Sequence, residues 1–410
     1  MKKEKNEKGI TLIALVITVI VLLILAGVTI AALSGDNGIL TRAKEAKEKT
    51  EQVQKEEEKT LSNMENILEI YNFKNINTED TNPAGAVPAN STVIEADANK
   101  GIVIKDKNDN EWVWVEVPKT TVFSDLTIDT TGTLTETNYN DIKNKLITYV
   151  GVYRNGSTSQ SYNNWTDEWY EGCGMTSDEY TTAYQKMLKS VYTYGGFWIG
   201  RYEAGIEGSI DDLLKVRATH TDVTIGTSPR AINQKDAIPY NFVYCSEAQA
   251  LVKEMAPDSG YTSSLMFGIQ WDLVCKFLEV KGGLTASDIN SDSSIWGNYT
   301  NVGRVITSQK GKQSTDYGNT WKAITGTKAA GNVILSAGVS EETNKMNIYD
   351  FAGNVWEWTL EKSSDSDNVC ANRGGSYYFA GSVYPASHRN NNGMAHSSAG
   401  IGFRSMFYKK

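Results

Sequence analysis

Cysteine and histidine are the residues of this chain with the strongest intrinsic chemistry, and their spacing limits what they can do. Cys173, Cys245, Cys275 and Cys370 are widely separated and form no C-x-x-C pair, so neither a zinc ribbon nor a thioredoxin-like redox motif is signalled. Buried free thiols are the favoured reading, and one long-range disulfide stays open if the domain is exported. His220, His388 and His396 are too few and too scattered for a histidine-rich metal centre. What stands out instead is a stretch suited to contact rather than to bond making. Tyr377 to Ser398 (YYFAGSVYPASHRNNNGMAHSS) is dense in Tyr, Asn, Ser and His and nearly devoid of acidic or aliphatic residues. Tyr supplies contact area at low entropic cost, while Ser, Asn and Gly adapt their hydrogen bonding, as in antibody paratopes. An ordinary polar loop is the competing reading.

Such a stretch needs a scaffold, and the composition allows a large one. The chain has 410 residues, ten Trp, 21 Tyr and only seven Pro, enough to bury a substantial core. Its net charge of -9 and pI near 5.1 argue against a nucleic-acid partner, which needs clustered Lys and Arg on one face; no such cluster occurs outside the N-terminal segments.

Four segments precede the scaffold. Residues 1–9 form a lysine-rich leader, and Ile10 to Leu33 carries no charged residue. At about 1.5 Å per residue that apolar run is long enough for a hydrocarbon core of roughly 30 Å, which predicts a transmembrane helix over 10–33; a cleaved signal peptide is the alternative. Lys2, Lys3, Lys5 and Lys8 place the amino terminus in the cytoplasm and the rest of the chain outside. Residues 34–72 read as a charged stalk helix, with Glu45 and Lys49, then Glu51 and Lys55, at i,i+4 spacing. Its thin apolar stripe offers self-association, against a solvated spacer as the other reading. Residues 73–91, rich in Asn, Thr, Pro and Gly, read as a linker.

From residue 92 the patterns are mixed. Ile102 to Ile104 and Trp112 to Val115 flank the turn residues Asp106 to Asn110, which predicts a hairpin. Gly195 to Glu203 reads as a buried strand, and Ser246 to Met255 and Gln270 to Glu279 have helical spacing. Between 119 and 190 only a helix near Asp178 to Leu188 is legible. Short segments broken by Gly, Asn and Ser follow, and the class these patterns support is α+β.

Three segments then carry a specific resemblance: Phe197 to Glu203 (FWIGRYE), Tyr349 to Trp358 (YDFAGNVWEW), and Arg373-Gly374-Gly375-Ser376 with Gly402-Phe403-Arg404. In this order they resemble the formylglycine-generating enzyme (sulfatase-modifying factor) family. Weaker matches lie at Trp112 to Pro118, around Trp271, and at Trp296-Gly297. The resemblance covers Glu111 to Pro118 and Gly195 to Met406, with 119–190 inserted or divergent. It implies a variant of the C-type lectin fold for residues 92–410. It also implies a structural Ca²⁺ site, with carbonyl oxygens of Asp350, Gly353 and Val355 and the Glu357 carboxylate as hard ligands. Trp356 and Trp358 are then core residues.

The family's enzymes bind copper through two cysteines, and aligning Arg389 and Gly402 puts Gly381 and Ala386 at those positions. Neither can bind a soft metal, so no copper and no catalysis are expected. The stretch also resembles the variable region of target proteins of diversity-generating retroelements, whose mutagenesis favours Asn, Tyr, Ser and His. That likeness makes Tyr377, Tyr378, Ser382, Tyr384, Ser387, His388, Asn390, Asn391 and Asn392 the expected ligand-binding residues on a frame of Arg373, Gly374, Gly375 and Arg404. Finally, Lys8-Gly9-Ile10-Thr11-Leu12-Ile13 resembles a type IV prepilin processing site, which implies cleavage between Gly9 and Ile10. Ala14 replaces the usual Glu and argues against filament assembly.

The reading is therefore a membrane-anchored, extracytoplasmic, non-catalytic protein that binds a protein or glycan. A minor pilin-like subunit and a divergent oxidative enzyme using Cys370 are the rivals.

Overall fold

The computed structural model describes residues 12–34, 38, 40, 42–57, 76–154 and 164–410. The expected cleavage point at Gly9 and Ile10 lies outside them. The chain divides into two units, Met1–Ile70 and Tyr71–Lys410.

In the first unit, α1 (Leu12–Ser34) is a 23-residue helix without acidic or basic residues in its terminal turns. Side chains are described only for residues 15–29, fewer than the roughly 20 residues that cross a bilayer. Among the described residues no helix is long and apolar enough to cross a membrane. Residues 42–57 form a second helix, α2, with an exposed Lys47–Glu51 pair at 3.8 Å. The remainder of the expected stalk, 58–72, lies outside the described residues.

The second unit is α+β. Its larger sheet runs β1 (Thr92–Glu95), β2 (Val103–Lys105), β3 (Glu111–Glu116), β4 (Gly196–Gly200), β10 (Ser405–Lys409) and β5 (Tyr261–Leu265), antiparallel throughout. The predicted hairpin is the β2–β3 pair. Its turn is held by the Asp106 carboxylate, which accepts from the Asn108 and Asn110 amides and from Trp112 Nε1. That buries Trp112 without an unsatisfied N–H. Trp112, Trp198 and Phe407, from three adjacent strands, stack and meet edge to face, so the sheet's register is written in its aromatic residues.

Two helices pack here that fill the stretch from 119 to 190. The predicted one is α4 (Ser177–Tyr194), started by a capping box from Thr176 and Glu179. The other, α3 (Glu136–Val150), was not legible: it buries only Ile142, Leu146 and Val150, one residue per turn, in an Asn- and Thr-rich run. The residues expected to be a linker are a correction. Ile76, Thr81, Ala86 and Ser91 are buried, Trp198 Nε1 donates to the Ala86 carbonyl, and Asp80 accepts from Thr120. Residues 76–91 therefore belong to the globular unit, because their carbonyls satisfy groups that the sheet alone leaves open.

The smaller sheet positions the candidate site. It runs β8 (Arg389–Asn392), β7 (Cys370–Arg373), β6 (Trp356–Ser363) and β9 (Ile401–Phe403), with β6 and β9 parallel. Helices α5 (Cys245–Lys253) and α6 (Gly268–Lys281) match the predicted pair and are largely buried.

Candidate ligand-binding site

The stretch singled out by composition leaves the smaller sheet at Arg373 and returns at Arg389, which face each other in register across β7 and β8. Gly374 and Gly375 have φ of 94° and 77°, a turn that side chains with a Cβ rarely adopt. Arg373 donates to Asp272 Oδ1 and Glu361 Oε2 at 2.8 and 2.9 Å. Arg389 donates to the same two carboxylates at 2.8–3.0 Å. Arg154 joins them and adds Asp167 at 3.0 Å. All six groups are almost fully excluded from water. Burial alone pushes the Glu361 carboxyl up, but Arg389, Arg373 and Arg154 outweigh it and carry it down to about 2. For Asp167 the balance is opposite: burial dominates the pull of Arg154 and the group is raised. Both ends of residues 374–388 thus hang from one pair of carboxylates on α6 and β6.

A second frame lies beneath it. Asn354, at φ 52°, accepts from the Leu335 amide and from Asn298 Nδ2, and donates to Glu203. Glu203 also accepts from the Val355 amide, and burial, with Asp350 and Glu357 near by, raises its carboxyl well above the usual range. The turn is tied to the stretch itself, since the Gly353 amide donates to the Gly374 carbonyl and the Tyr377 amide to the Asn354 carbonyl.

Of the expected calcium ligands, Glu357 already has a cationic partner. The Glu357 carboxylate, 1 % exposed, accepts from Arg404 Nε and Nη2 at 2.8–3.1 Å, so a guanidinium already holds the place of a cation. The Asp350 carboxylate accepts from the Gly338 amide and the Thr343 hydroxyl, which leaves its carbonyl, the expected ligand, as a separate group. Gly353 and Val355 flank Asn354 in its turn.

The nine expected ligand-binding residues divide by exposure. Tyr378 is 43 % exposed and Ser382 is exposed, while Tyr384, Asn390 and Asn392 are half-buried. Tyr377, Ser387, His388 and Asn391 are buried. Ser387 donates to Asn290, and Asn391 donates to Ser363 and to the Asn368 carbonyl. The latter two are scaffold groups, because they face inward from a stretch that otherwise faces out. His388 packs beside Tyr384 and Trp356 with ring centroids 4.8 and 6.0 Å away. Burial first, then Arg373 and Arg389, push its imidazole down to about 3, so it stays neutral.

Tyr378, Asn390 and Asn392 share a cleft of about 310 Å³, also lined by Trp356, Tyr377 and Ile401, while Ser382 and Tyr384 lie outside its lining. Tyr378 stands on one side, 5.9 Å from the ring of Tyr317. Asn390 and Asn392, two apart and so on one face of β8, stand on another, and Asn372 links them by donating to Asn392 at 2.7 Å and accepting from Asn390 at 3.1 Å. No Lys, Arg, Asp or Glu lines the cleft. His396 also lines it, and burial holds its imidazole below the usual range. Sequence reasoning missed Tyr317 and His396. Tyr317 lies in a turn sequence, Asp316-Tyr317-Gly318-Asn319, and nothing local tells which distant surface that turn meets. Trp356, expected in the core, is 5 % exposed and still forms part of the cleft; Trp358 is buried, with Nε1 donating to the Val243 carbonyl.

Gly381 and Ala386, the positions to which the resemblance assigned cysteines, are both tightly enclosed. A Cβ added at Gly381 would lie 2.5 Å from the Ser294 amide nitrogen, and Ala386 is fully buried with its amide bonded to Ser293. The thiols of Cys245 and Cys370 do face each other in the interior, beside the Tyr170 hydroxyl at 3.5 Å from Cys245. Both are buried and free, and the Cys370 thiol together with burial raises that of Cys245, the reverse of what a reactive thiolate needs.

Residues 290–407 match the sequence profile of the sulfatase-modifying factor enzyme 1-like domain. Over these residues the chain is similar to that family. The match spans the Asn354 turn, both arginine anchors and the cleft residues between them. Among solved structures, CarF is 14 % identical over 60 % of this chain and 97 % of its own, with a TM-score of 0.32. Treponema denticola variable protein 1 is 12 % identical over 53 % and 85 %, with a TM-score of 0.30. The U1 variant of Major Tropism Determinant is 18 % identical over 53 % and 52 %, with a TM-score of 0.27. No curated protein matches the chain.

Proposed function

We propose that this protein is a membrane-anchored, extracytoplasmic binding protein that grips a protein or glycan in the Tyr317–Tyr378–Asn390–Asn392 cleft of a non-catalytic, C-type lectin-like domain. One observation carries the reading: the cleft is lined by aromatic rings, amides and hydroxyls with no charged side chain, while every charged group of the stretch is locked in the interior. Such a surface offers area, stacking and hydrogen bonds, with His396 as its one imidazole. The closed backbone at Gly381 and the buried methyl group at Ala386 support the non-catalytic half of the reading. The uncharged run from Ile10 to Leu33 supports anchoring. The Asn, Tyr and Ser bias supports diversification by a retroelement. A template repeat and a reverse transcriptase gene beside this one are expected on that account, and their absence ends it.

A glycan and protein array probed with the detergent-solubilised full chain tests the binding. The expected result is a discrete set of ligands lost on Tyr317→Ala/Tyr378→Ala substitution. Binding that is unchanged in the double variant removes the cleft from the function.

A further inference from the structure

Among the described residues, the cleft leaves unused one group of potential metal ligands elsewhere in the domain. His220, Asp222 and Glu247 bring one nitrogen and two carboxylates together, with a ligand atom from each lying within 4.8 Å of the others. We propose that these three residues form a zinc site, with water completing a tetrahedron, that clamps the loop at 220–228 to helix α5. The assignment is independent of the binding cleft.

The distances come first. His220 Nε2 lies 3.2 and 3.1 Å from the two Glu247 oxygens. Zinc bonds of about 2.0–2.2 Å in a tetrahedron put neighbouring ligand atoms roughly 3.3–3.5 Å apart, so this pair needs to open by only a few tenths of an ångström. Asp222, two residues along and exposed, closes the third side. Both partly buried ligands are pre-positioned from outside the cluster. The His220 ring stacks on Tyr244 at 3.9 Å between centroids and 19° between planes. The Glu247 carboxylate accepts from the Val223 and Tyr244 amides, each at 2.9 Å. Groups that orient a ligand in this way strengthen metal binding.

Charge supplies the second argument. Among the described residues Asp222 makes no ion pair, and Glu247 has none except with the His220 imidazole. Arg217, the nearest cation along the loop, is directed at the Thr221 and Phe242 carbonyls instead. Two carboxylates and a neutral imidazole leave two negative charges for a divalent ion to balance. One nitrogen with two carboxylate oxygens suits zinc, whereas Cu(I) calls for sulfur and calcium for six or more oxygens. The His220 and Glu247 side chains are 19 and 13 % exposed, which leaves an entry path and room for water.

The clamp has a consequence for the surface next to it. Ile225, Gly226 and Ser228 wall one side of a cavity of about 370 Å³, and Leu251 and Met255, on and just beyond α5, wall another. A metal that joins residue 220 to residue 247 fixes the distance between those walls.

The test uses the full chain in detergent, stripped with EDTA, desalted and reloaded with zinc chloride. Elemental analysis is expected to give about one zinc per chain, and His220→Ala and Asp222→Asn to weaken binding roughly tenfold or more. Asp222→Asn alters an exposed residue and leaves the fold intact. Zinc is also expected to slow tryptic cleavage after Lys215 and Arg217 in the native protein but not in the variants. Wild type that retains no zinc, or His220→Ala that binds as tightly as wild type, overturns the proposal. So does a cobalt-substituted protein with a thiolate charge-transfer band, which would move the ion to the cysteines.

Discussion

The frame and the face of residues 373–392 are built from opposite chemistry, although they alternate within twenty positions of chain. The frame is charged and dry: Arg373 and Arg389 share Asp272 and Glu361, with Arg154 and Asp167 completing the set. The face is neutral and wet: Tyr378, Ser382, Asn390 and Asn392 meet solvent beside Tyr317. Buried charges cost several kcal/mol each to desolvate and tolerate no missing partner. Surface Tyr and Asn tolerate replacement, since substitutions outside structural networks usually change stability by about 0.5 kcal/mol or less. The arrangement lets the face change while the frame holds the ends of the loop.

The contrast can be broken most forcefully at its charged half. Asp272→Ala leaves Arg373 and Arg389 each short of a carboxylate in the interior, and a loss of about 3–5 kcal/mol is expected in urea or thermal unfolding; a loss below about 1 kcal/mol would mean that water reaches the network. Next comes the buried tyrosine. Tyr377→Ala is expected to destabilise by about 3 kcal/mol, whereas Tyr378→Ala, one residue on, should change unfolding by about 0.5 kcal/mol or less and remove binding instead. Equal effects of the two on stability would erase the division between frame and face.

The pH dependence sharpens the comparison more gently. Glu361 is held down to about 2 in the folded chain, below its unfolded value near 4.3. Its contribution is therefore complete above that unfolded value and is lost as pH falls from about 4.3 through 2. Wild type minus Glu361→Gln, followed by unfolding free energy, should shrink across that window; a flat difference would contradict the assignment. The smallest effect is expected at Ser382→Ala, which should leave both unfolding and affinity nearly unchanged, as measured by thermal melts and titration against any array ligand.

Much of the frame was legible along the chain. Trp112 and Phe197 to Glu203 announced themselves because strand alternation is a local property, whereas the segment around Asn354 was marked by the family resemblance. Helix α3 was not, since its burial of one residue per turn is weaker than the polar run around it. Its start was nonetheless marked by Thr135 and Asn138, whose side chains cap each other's backbone amides. The extent of the domain was misjudged for a related reason: Asn77 to Ser91 has linker composition, yet its buried bonds to Trp198, Thr120 and Tyr194 come from distant residues.

Composition along the chain was enough to mark the Tyr- and Asn-rich stretch, because residue type is a property of the chain itself; its arginine and glycine borders, and Gly381 and Ala386 as positions without thiols, were implied by the family resemblance. Tertiary structure alone decided which of those residues look outward. Ser387 and Asn391 turn inward, Tyr317 arrives from a loop sixty positions away, and Glu357 belongs to Arg404, because a side chain's partner across space depends on how sheets and turns close, and no local pattern records that.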